Sequence, residues 1–359
     1  MLYKLIYLFQ DELSWLNVFR YITFRTIIST LSSLIFFFIL GEWAINRLRM
    51  MQIGQYIREE GPPNHKIKEG TPTMGGCIIL PLILLSGLMW ADFKNIYVLL
   101  CIFIILSYGL IGFADDYLKV VRKKNYGLSV RGKILLQIVA ALIVSCVLYN
   151  YQGFDTFLNL PFFKTVRPDL HFWYIPLMVF IIVGSSNAVN LTDGLDGLAI
   201  GPIVVTFTSY LVFSYLTGHI KIASYLQIPY VPGSGELSVL CGATVGAGLG
   251  FLWYNSYPAD VFMGDVGSLP LGALLGTVAI MTKQELVLIL VGGIFVFEAL
   301  SVIFQVVFFK LTGGHRIFKM APIHHHFELK GLPESKITVR FWIIAIILAL
   351  LSISTLKLR

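Results

Sequence analysis

Long apolar segments are the feature that most constrains this chain. A helix of about 20 apolar residues crosses the hydrocarbon core of a bilayer, and the sequence contains ten segments of that kind. They are Tyr21–Ala44, Thr73–Trp90, Asn95–Phe113, Gly132–Tyr151, Phe172–Val189, Gly197–Thr217, Leu237–Tyr254, Met263–Met281, Glu285–Phe309 and Ile337–Leu356. Only 13% of the residues are charged and 57% are hydrophobic, whereas soluble domains carry about 25% charged residues. We therefore predict an all-α, polytopic integral membrane protein with about ten transmembrane helices, and we assign residues 1–359 to a single transmembrane domain.

The basic residues indicate how these helices are oriented. Seventeen of the 27 lysines and arginines lie in or beside three connections, those between segments 1 and 2, 3 and 4, and 9 and 10. Cytoplasmic loops of membrane proteins carry such an excess. The odd-numbered connections are therefore predicted to be cytoplasmic, with both termini periplasmic. The formal net charge of +7 can serve this orientation and also attract anionic substrates.

Carboxylates converge on the same predicted face. They are Asp115 and Asp116 after segment 3, Asp193 and Asp196 after segment 5, and Asp265 near the start of segment 8. Each pair taken alone could cap a helix or form a turn, but three separate connections favour a shared site. Unpaired carboxylates are costly at a membrane boundary, and Mg²⁺ binds one or two carboxylates together with substrate phosphates. With Lys133 nearby, we predict a magnesium and phosphate site.

Polar residues near the C-terminal end form a second unusual feature. His324, His325 and His326 are consecutive. Adjacent residues of a helix point about 100° apart, so the three cannot all reach one zinc ion from a helix, and donation to phosphates by one or two of them is the better interpretation. Glu298 and Gln305 share a helix face. Helix–helix hydrogen bonding and ligand contact both stay open for Gln305.

Five motifs carry a resemblance to a known family. They are TPTMGG at 71–76, GFADDY at 112–117, NAVNLTDGLDGLA at 187–199, FLWYNSYPADVFMGDVGS at 251–268 and PIHHHFELKG at 322–331. Together they extend over essentially the whole chain. The sequence resembles the phospho-N-acetylmuramoyl-pentapeptide transferase (MraY) family of the polyprenyl-phosphate N-acetylhexosamine-1-phosphate transferase superfamily. The histidine triplet resembles this branch rather than the relatives that use UDP-GlcNAc.

The resemblance implies a reaction and its participants. The substrates would be UDP-MurNAc-pentapeptide and undecaprenyl phosphate, the products lipid I and UMP, and the cofactor Mg²⁺, in a step of peptidoglycan synthesis. It also implies a multi-pass enzyme of the bacterial inner membrane, with its active site facing the cytoplasm, and a homodimer. We expect no nucleic-acid partner.

The resemblance further implies roles for individual residues. Asp115 and Asp116 would be the catalytic pair, and Asp265 the main magnesium ligand, together with Asp193. The uridine pocket would be lined by Lys68, Gly194, Leu195, Asp196, Asn255, Phe262 and Gln305, with Phe262 stacking on the base. The diphosphate region would be surrounded by Lys133, Asn190, Asp193, His324 and His325.

Several alternatives stay open at this point. Asp115 or Asp116 could deprotonate the lipid phosphate for direct attack on the donor, or one of them could form an aspartyl-phosphate in a two-step route. A UDP-GlcNAc:polyprenyl-phosphate transferase would keep the aspartate loops and change the histidine loop. A secondary transporter would fit ten spans, but its carboxylates should lie near the midplane and its halves should repeat, and neither feature is present in the sequence.

Overall fold

A computed structural model describes residues 2–7, 13–51, 70–122, 127–161, 163 and 166–357, and the structural statements below refer to these residues. The helices are α1 (Leu2–Tyr7), α2 (Ile22–Met50), α3 (Gly76–Trp90), α4 (Ile96–Arg122), α5 (Val130–Tyr149), α6 (Tyr174–Thr192), α7 (Ile200–Thr217), α8 (Ile220–Leu226), α9 (Leu237–Asn255), α10 (Asp265–Met281), α11 (Val287–Val291), α12 (Gly293–Leu311), α13 (Ile323–Glu328) and α14 (Glu334–Ser354). Within the described ranges, extended pairing is limited to an isolated bridge between Phe157 and Asp169.

Eight of the described helices are long and apolar enough to cross a membrane: α2, α4, α5, α6, α7, α9, α12 and α14. The shorter apolar helices α3 and α10 have 15 and 17 residues. These helices correspond to the ten predicted segments. The prediction of an all-α polytopic membrane protein is therefore confirmed.

Most predicted boundaries differ from the helices by a few residues, and two segments differ more. Helix α4 continues past Phe113 to Arg122, because Lys119 pairs with the carboxylates one turn before it. The segment predicted as Glu285–Phe309 is instead two helices, α11 and α12, separated at Gly292. Gly292 leaves the helical region, with φ −91° and ψ 19°, and glycine is a poor helix former because ordering its backbone costs the most entropy.

Close packing of small residues holds α2 against α9, as the spacing of glycines in α9 predicts. A Cβ added to Gly246 would stand 2.9 Å from the carbonyl carbon of Thr30 on α2, and closer to its oxygen. Helix α10 lies between α4 and α6, and every residue of α10 after Asp265 is buried. The central helix of the bundle therefore carries Asp265 at one end.

The connections predicted to be cytoplasmic meet at that end. Phe262 donates its backbone N–H to the carbonyl of Pro72 at 2.8 Å, and Gly75 donates to the carbonyl of Phe262 at 2.8 Å. At the other end of α10, the buried Lys283 donates to the backbone of Asp155 and lies over the ring of Phe154. At this end of α10, the charged Lys283 therefore holds the loop that contains Phe154 and Asp155 against the bundle.

Candidate active site

Three carboxylates form the centre of the candidate site. Asp115 and Asp116 lie on α4 and are buried, and Asp265 is the first residue of α10. One oxygen from each lies within 4.8 Å of the others. The helices approach closely because α4 has Gly112 at the crossing, where a Cβ would stand 2.6 Å from the carbonyl carbon of Asp265. Two of the three connections predicted to converge, those with Asp115 and Asp116 and with Asp265, therefore supply this group.

Two lysines lie among the carboxylates. Lys119 Nζ is 2.6 Å from Asp115 Oδ2, 3.3 Å from Asp116 Oδ1 and 3.1 Å from Asp265 Oδ2. Lys133 Nζ is 2.5 Å from Asp265 Oδ2 and 3.6 Å from Asp115 Oδ2. Three carboxylates against two ammonium groups leave one net negative charge, which favours a bound cation.

Neutral donors fix the remaining carboxylate oxygens. Asn190 donates from Nδ2 to Asp265 Oδ1 at 2.7 Å and lies 2.9 Å from the hydroxyl oxygen of Ser268. The backbone N–H of Val266 donates to Asp116 Oδ2 at 3.0 Å. A set of oriented carboxylate oxygens of this kind fits a hard divalent cation such as Mg²⁺.

Lys119, Ser268 and Glu298 belong to the surroundings of the site but were absent from the predicted set. A signal was available for Lys119, which follows Asp115 by four residues and so lies on the same helix face. Ser268 likewise lies one turn after Asp265. Glu298 was recognised only as a polar residue within a span, and its partner could not be identified from sequence.

Asp193 lies just after α6, beside the group of three carboxylates. It accepts a hydrogen bond from the backbone of Gly264, and burial, followed by the charges of Asp265 and Asp116, raises the pKa of Asp193 to about 8. Its role as a second magnesium ligand stays a prediction. Asp193 and Asp196 do not lie on a common helix, because α6 ends at Thr192 and turns follow.

His324 is buried against two partners. Its Nδ1 lies 3.1 Å from Glu298 Oε2 on α12, and both side chains are excluded from solvent. The opposite edge of the ring packs on Gly194, where a Cβ would stand 2.8 Å from Cε1 of the imidazole. His324 therefore connects α12 and α13 to the connection that begins with Asp193.

The other two histidines of the triplet have partners of their own, although the ring centroids of His324 and His325 are only 4.1 Å apart. His325 Nδ1 lies 2.6 Å from Glu328 Oε2. His326 Nδ1 accepts a hydrogen bond from the backbone of Lys319 at 3.1 Å, and burial together with Lys330 and Lys319 lowers the pKa of His326. Three imidazoles with three separate partners agree with the expectation that they do not share one metal ion.

Two polar residues predicted to line the uridine pocket join neighbouring connections. Asn255 Oδ1 accepts from the backbone of Gly197 at 3.0 Å, and its Nδ2 donates to the carbonyl of Val261 at 2.7 Å. Asp196 Oδ2 accepts from the backbone of Ala259 at 3.0 Å. The connection at 193–199 and the connection at 256–264 are thereby held side by side, next to the carboxylate centre.

The other predicted pocket residues have different surroundings. Leu195 is buried in an apolar cluster with Ile294 and Phe341. Gln305 accepts from the backbone of Ile317 and Phe318 at 3.1 and 2.9 Å, and donates to the carbonyl of Phe318 at 3.2 Å. The remaining residue, Lys68, lies outside the described residues. Uridine contacts for Leu195, Gln305, Lys68 and the half-buried Phe262 stay predictions.

Comparison with known proteins identifies the family. Residues 95–283 match Glycosyl transferase family 4, and residues 68–80 match signature 1 of the phospho-N-acetylmuramoyl-pentapeptide-transferases. Proteins of that name from Desulforapulum autotrophicum and Syntrophus aciditrophicus are 58% and 60% identical to this chain, with 100% of each chain covered. A third, from Citrifermentans bemidjiense, is 58% identical over the same full length. The resemblance inferred from the motifs is confirmed, and the chain belongs to the phospho-N-acetylmuramoyl-pentapeptide transferase family.

Proposed function

We propose that this protein transfers phospho-N-acetylmuramoyl-pentapeptide from UDP-MurNAc-pentapeptide to undecaprenyl phosphate, forming lipid I and releasing UMP. The observation that carries the proposal is the group of three carboxylates and two lysines at one end of a membrane-spanning bundle. Phosphoryl transfer depends mainly on positioning and on neutralising phosphate charge, and this group provides both. Full-length identity to proteins that bear this name supports the choice of substrates.

Magnesium fits the carboxylate group. Asp265 would be the main ligand of the ion, together with Asp193, and either Asp115 or Asp116 is close enough to complete the site while the other stays free to act as the base. When bound, the ion would neutralise charge on the donor diphosphate. Lys119 and Lys133 lie on the same oxygens and are close enough to bind the phosphates from the other side. The two ammonium groups therefore make the site attractive to the phosphates of both substrates.

The transfer requires that an oxygen of the lipid phosphate attack the β-phosphorus of the donor. The new O–P bond forms as the bond to UMP breaks, and UMP leaves with the electron pair. Asp115 or Asp116 would take the proton of the lipid phosphate, if it carries one. The rival route, with a covalent aspartyl-phosphate on one of these residues, predicts a phospho-enzyme that forms from the donor without lipid. Rapid-quench experiments with labelled donor distinguish the two.

Three further features belong to this proposal. An apolar groove of about 560 Å³ between α5 and α6, lined among others by Leu142, Val179 and Phe180, offers apolar surface of the kind that a polyprenyl chain requires. Basic residues around the carboxylate end support a cytoplasmic active site, in the inner membrane of a bacterium. A homodimer is implied by the family.

The test is release of UMP from UDP-MurNAc-pentapeptide by the purified protein in detergent. Release should require undecaprenyl phosphate and Mg²⁺, stop in EDTA, and disappear in Asp265→Ala. Asp260→Asn, an exposed aspartate at the same end of the bundle, is the matched control and should keep full activity. Activity that persists in EDTA would refute the metal assignment. Preference for UDP-GlcNAc as donor, or vesicle uptake without UMP release, would refute the proposed reaction.

A further inference from the structure

Three side chains on one face of α14 bind the backbone of the connection at 193–199. Glu334, Thr338 and Trp342 are spaced four apart and so follow one another along the helix surface. Glu334 Oε1 accepts from the N–H of Asp196 at 2.8 Å, Thr338 Oγ1 donates to the carbonyl of Asp196 at 3.1 Å, and Trp342 Nε1 donates to the carbonyl of Gly197 at 2.9 Å. No role had been assigned to this helix beyond crossing the membrane.

The backbone that these side chains bind lies outside the helices, and its only helical partner among the described residues is the N–H of Gly201 on α7, which donates to the carbonyl of Gly197 at 3.2 Å. Gly197 has a φ of +70°, a conformation that favours glycine, and the connection lies between α6 and α7. Buried backbone groups need hydrogen-bond partners. The N–H and carbonyl of Asp196 and the carbonyl of Gly197 bind α14, while the N–H of Gly197 binds Asn255. Side chains of α14 and Asn255 therefore hold three of these four backbone groups without help from the backbone of a helix, and share the fourth with α7.

Apolar packing seats the same connection on α14. Leu195 and Leu198 share a buried cluster with Ile337 and Phe341 of α14. The indole of Trp342 fits over Gly201, where a Cβ would stand 2.5 Å from Cδ1 of the ring. The polar contacts are thus surrounded by close apolar packing between the connection and α14. A substitution that removes one polar atom leaves this apolar packing in place.

We propose that Glu334, Thr338 and Trp342 are positioning residues for donor binding. They act through the connection at 193–199, which carries predicted contacts to the donor at Asp193, Gly194 and Asp196. If this connection can adopt other conformations, only the protein molecules in which it has the binding-competent conformation bind the donor. The apparent affinity for the donor is then reduced in proportion to the fraction of such molecules. The three clustered carboxylates have their own contacts on α4, α5 and α10, and among the described residues Asp193 is held by the backbone of Gly264 and not by α14, so transfer from the bound donor should be little changed. The inference rests on the proposed function for the identity of the donor.

The experiment measures the KM of UDP-MurNAc-pentapeptide, kcat, and the Kd of UMP as a probe of the uridine side. Thr338→Val removes a hydroxyl at nearly constant volume, and Glu334→Met removes the acceptor. Each should raise KM and the Kd of UMP about two- to ten-fold, the effect of one lost hydrogen bond, while kcat stays within about two-fold. Glu334→Gln keeps the Oε1 acceptor and should behave as the unsubstituted protein. Val339→Ala, on the exposed face of α14, is the control for α14 packing.

Equal KM and Kd values for Glu334→Gln and Glu334→Met overturn the inference, as does a fall in kcat without a change in KM. If the Thr338→Val protein fails to fold, the comparison of Glu334→Gln with Glu334→Met decides whether the inference holds. Absence of UMP release from the unsubstituted protein is a different result, because it refutes the proposed function. In that case UMP binding by the same variants decides whether α14 positions the connection.

Discussion

Replacement of Gly194 by alanine tests whether the buried His324 is held as tightly as the structure indicates. A Cβ at Gly194 would stand 2.8 Å from Cε1 of His324 and closer still to Nε2. Favourable contacts between heavy atoms are about 3.5–4.0 Å. The ring must therefore retreat, or the connection at 193–199 must move, by roughly 1 Å.

Both movements cost free energy of folding. The ring of His324 is 1% exposed, and its Nδ1 is bound to Glu298, which is fully buried. Retreat of the ring breaks this hydrogen bond inside the bundle. Overpacking costs about 1–3 kcal/mol, and a buried polar group left without its partner costs about 1–3 kcal/mol. Because these are alternative ways to relieve one overlap, we expect Gly194→Ala to lose about 1–3 kcal/mol of stability, and donor binding with it.

The assay is unfolding in detergent for Gly194→Ala, His324→Ala and the double variant. Removal of the imidazole opens space for the new methyl, so the double variant should be little less stable than His324→Ala alone, a clear departure from additivity. Gly184→Ala is the matched control, since Gly184 lies on α6 with nothing within 4 Å of its added Cβ. It should lose no stability. Additive losses in the double variant, or an equal loss in the control, would refute the argument.

Two further predictions concern the bundle around the carboxylates. Lys133→Met removes the ammonium that lies 2.5 Å from Asp265 and should lower kcat about 10²- to 10³-fold, the usual effect of losing one charge-stabilising donor. Steady-state UMP release with exposed Lys221→Met as the control checks this, and an equal effect in both would contradict it. Asn187 donates to Gln137 Oε1 at 2.8 Å across α5 and α6, so Gln137→Asn and Asn187→Gln should each cost about 0.6–1.7 kcal/mol. The double exchange keeps the combined side-chain length and should recover stability in thermal unfolding, and a simple sum of the two losses would count against the contact.

The ten apolar segments and the convergence of the aspartates could be predicted from sequence because both depend on one-dimensional properties. Apolar length determines which segments can span a membrane, and basic residues indicate which connections share a side. The extension of α4 through Asp115 and Asp116 was less accessible. An acidic pair after an apolar segment suggests a helix cap or a turn, because the sequence does not show on its own that Lys119 pairs with it. The helix continues because these charges stabilise one another along one face.

Polar residues in or beside the membrane-spanning helices explain why the rest of the site was harder to predict. Lys133 and Asn190 both bind Asp265, and the chemistry of these three residues can be inferred from residue type. Asn255 and Gln305 instead bind the backbone of connections through both ends of their amides. In a sequence, residues that bind the catalytic group and residues that bind a connection look alike, since each is a polar residue in or beside an apolar segment. The difference follows from the bilayer, because a connection packed at the end of a bundle has backbone groups that water reaches poorly. A transferase that binds a nucleotide in such connections therefore needs side chains that hold the connections as well as side chains that hold the substrate. Amides suit the first task because they can accept and donate at once.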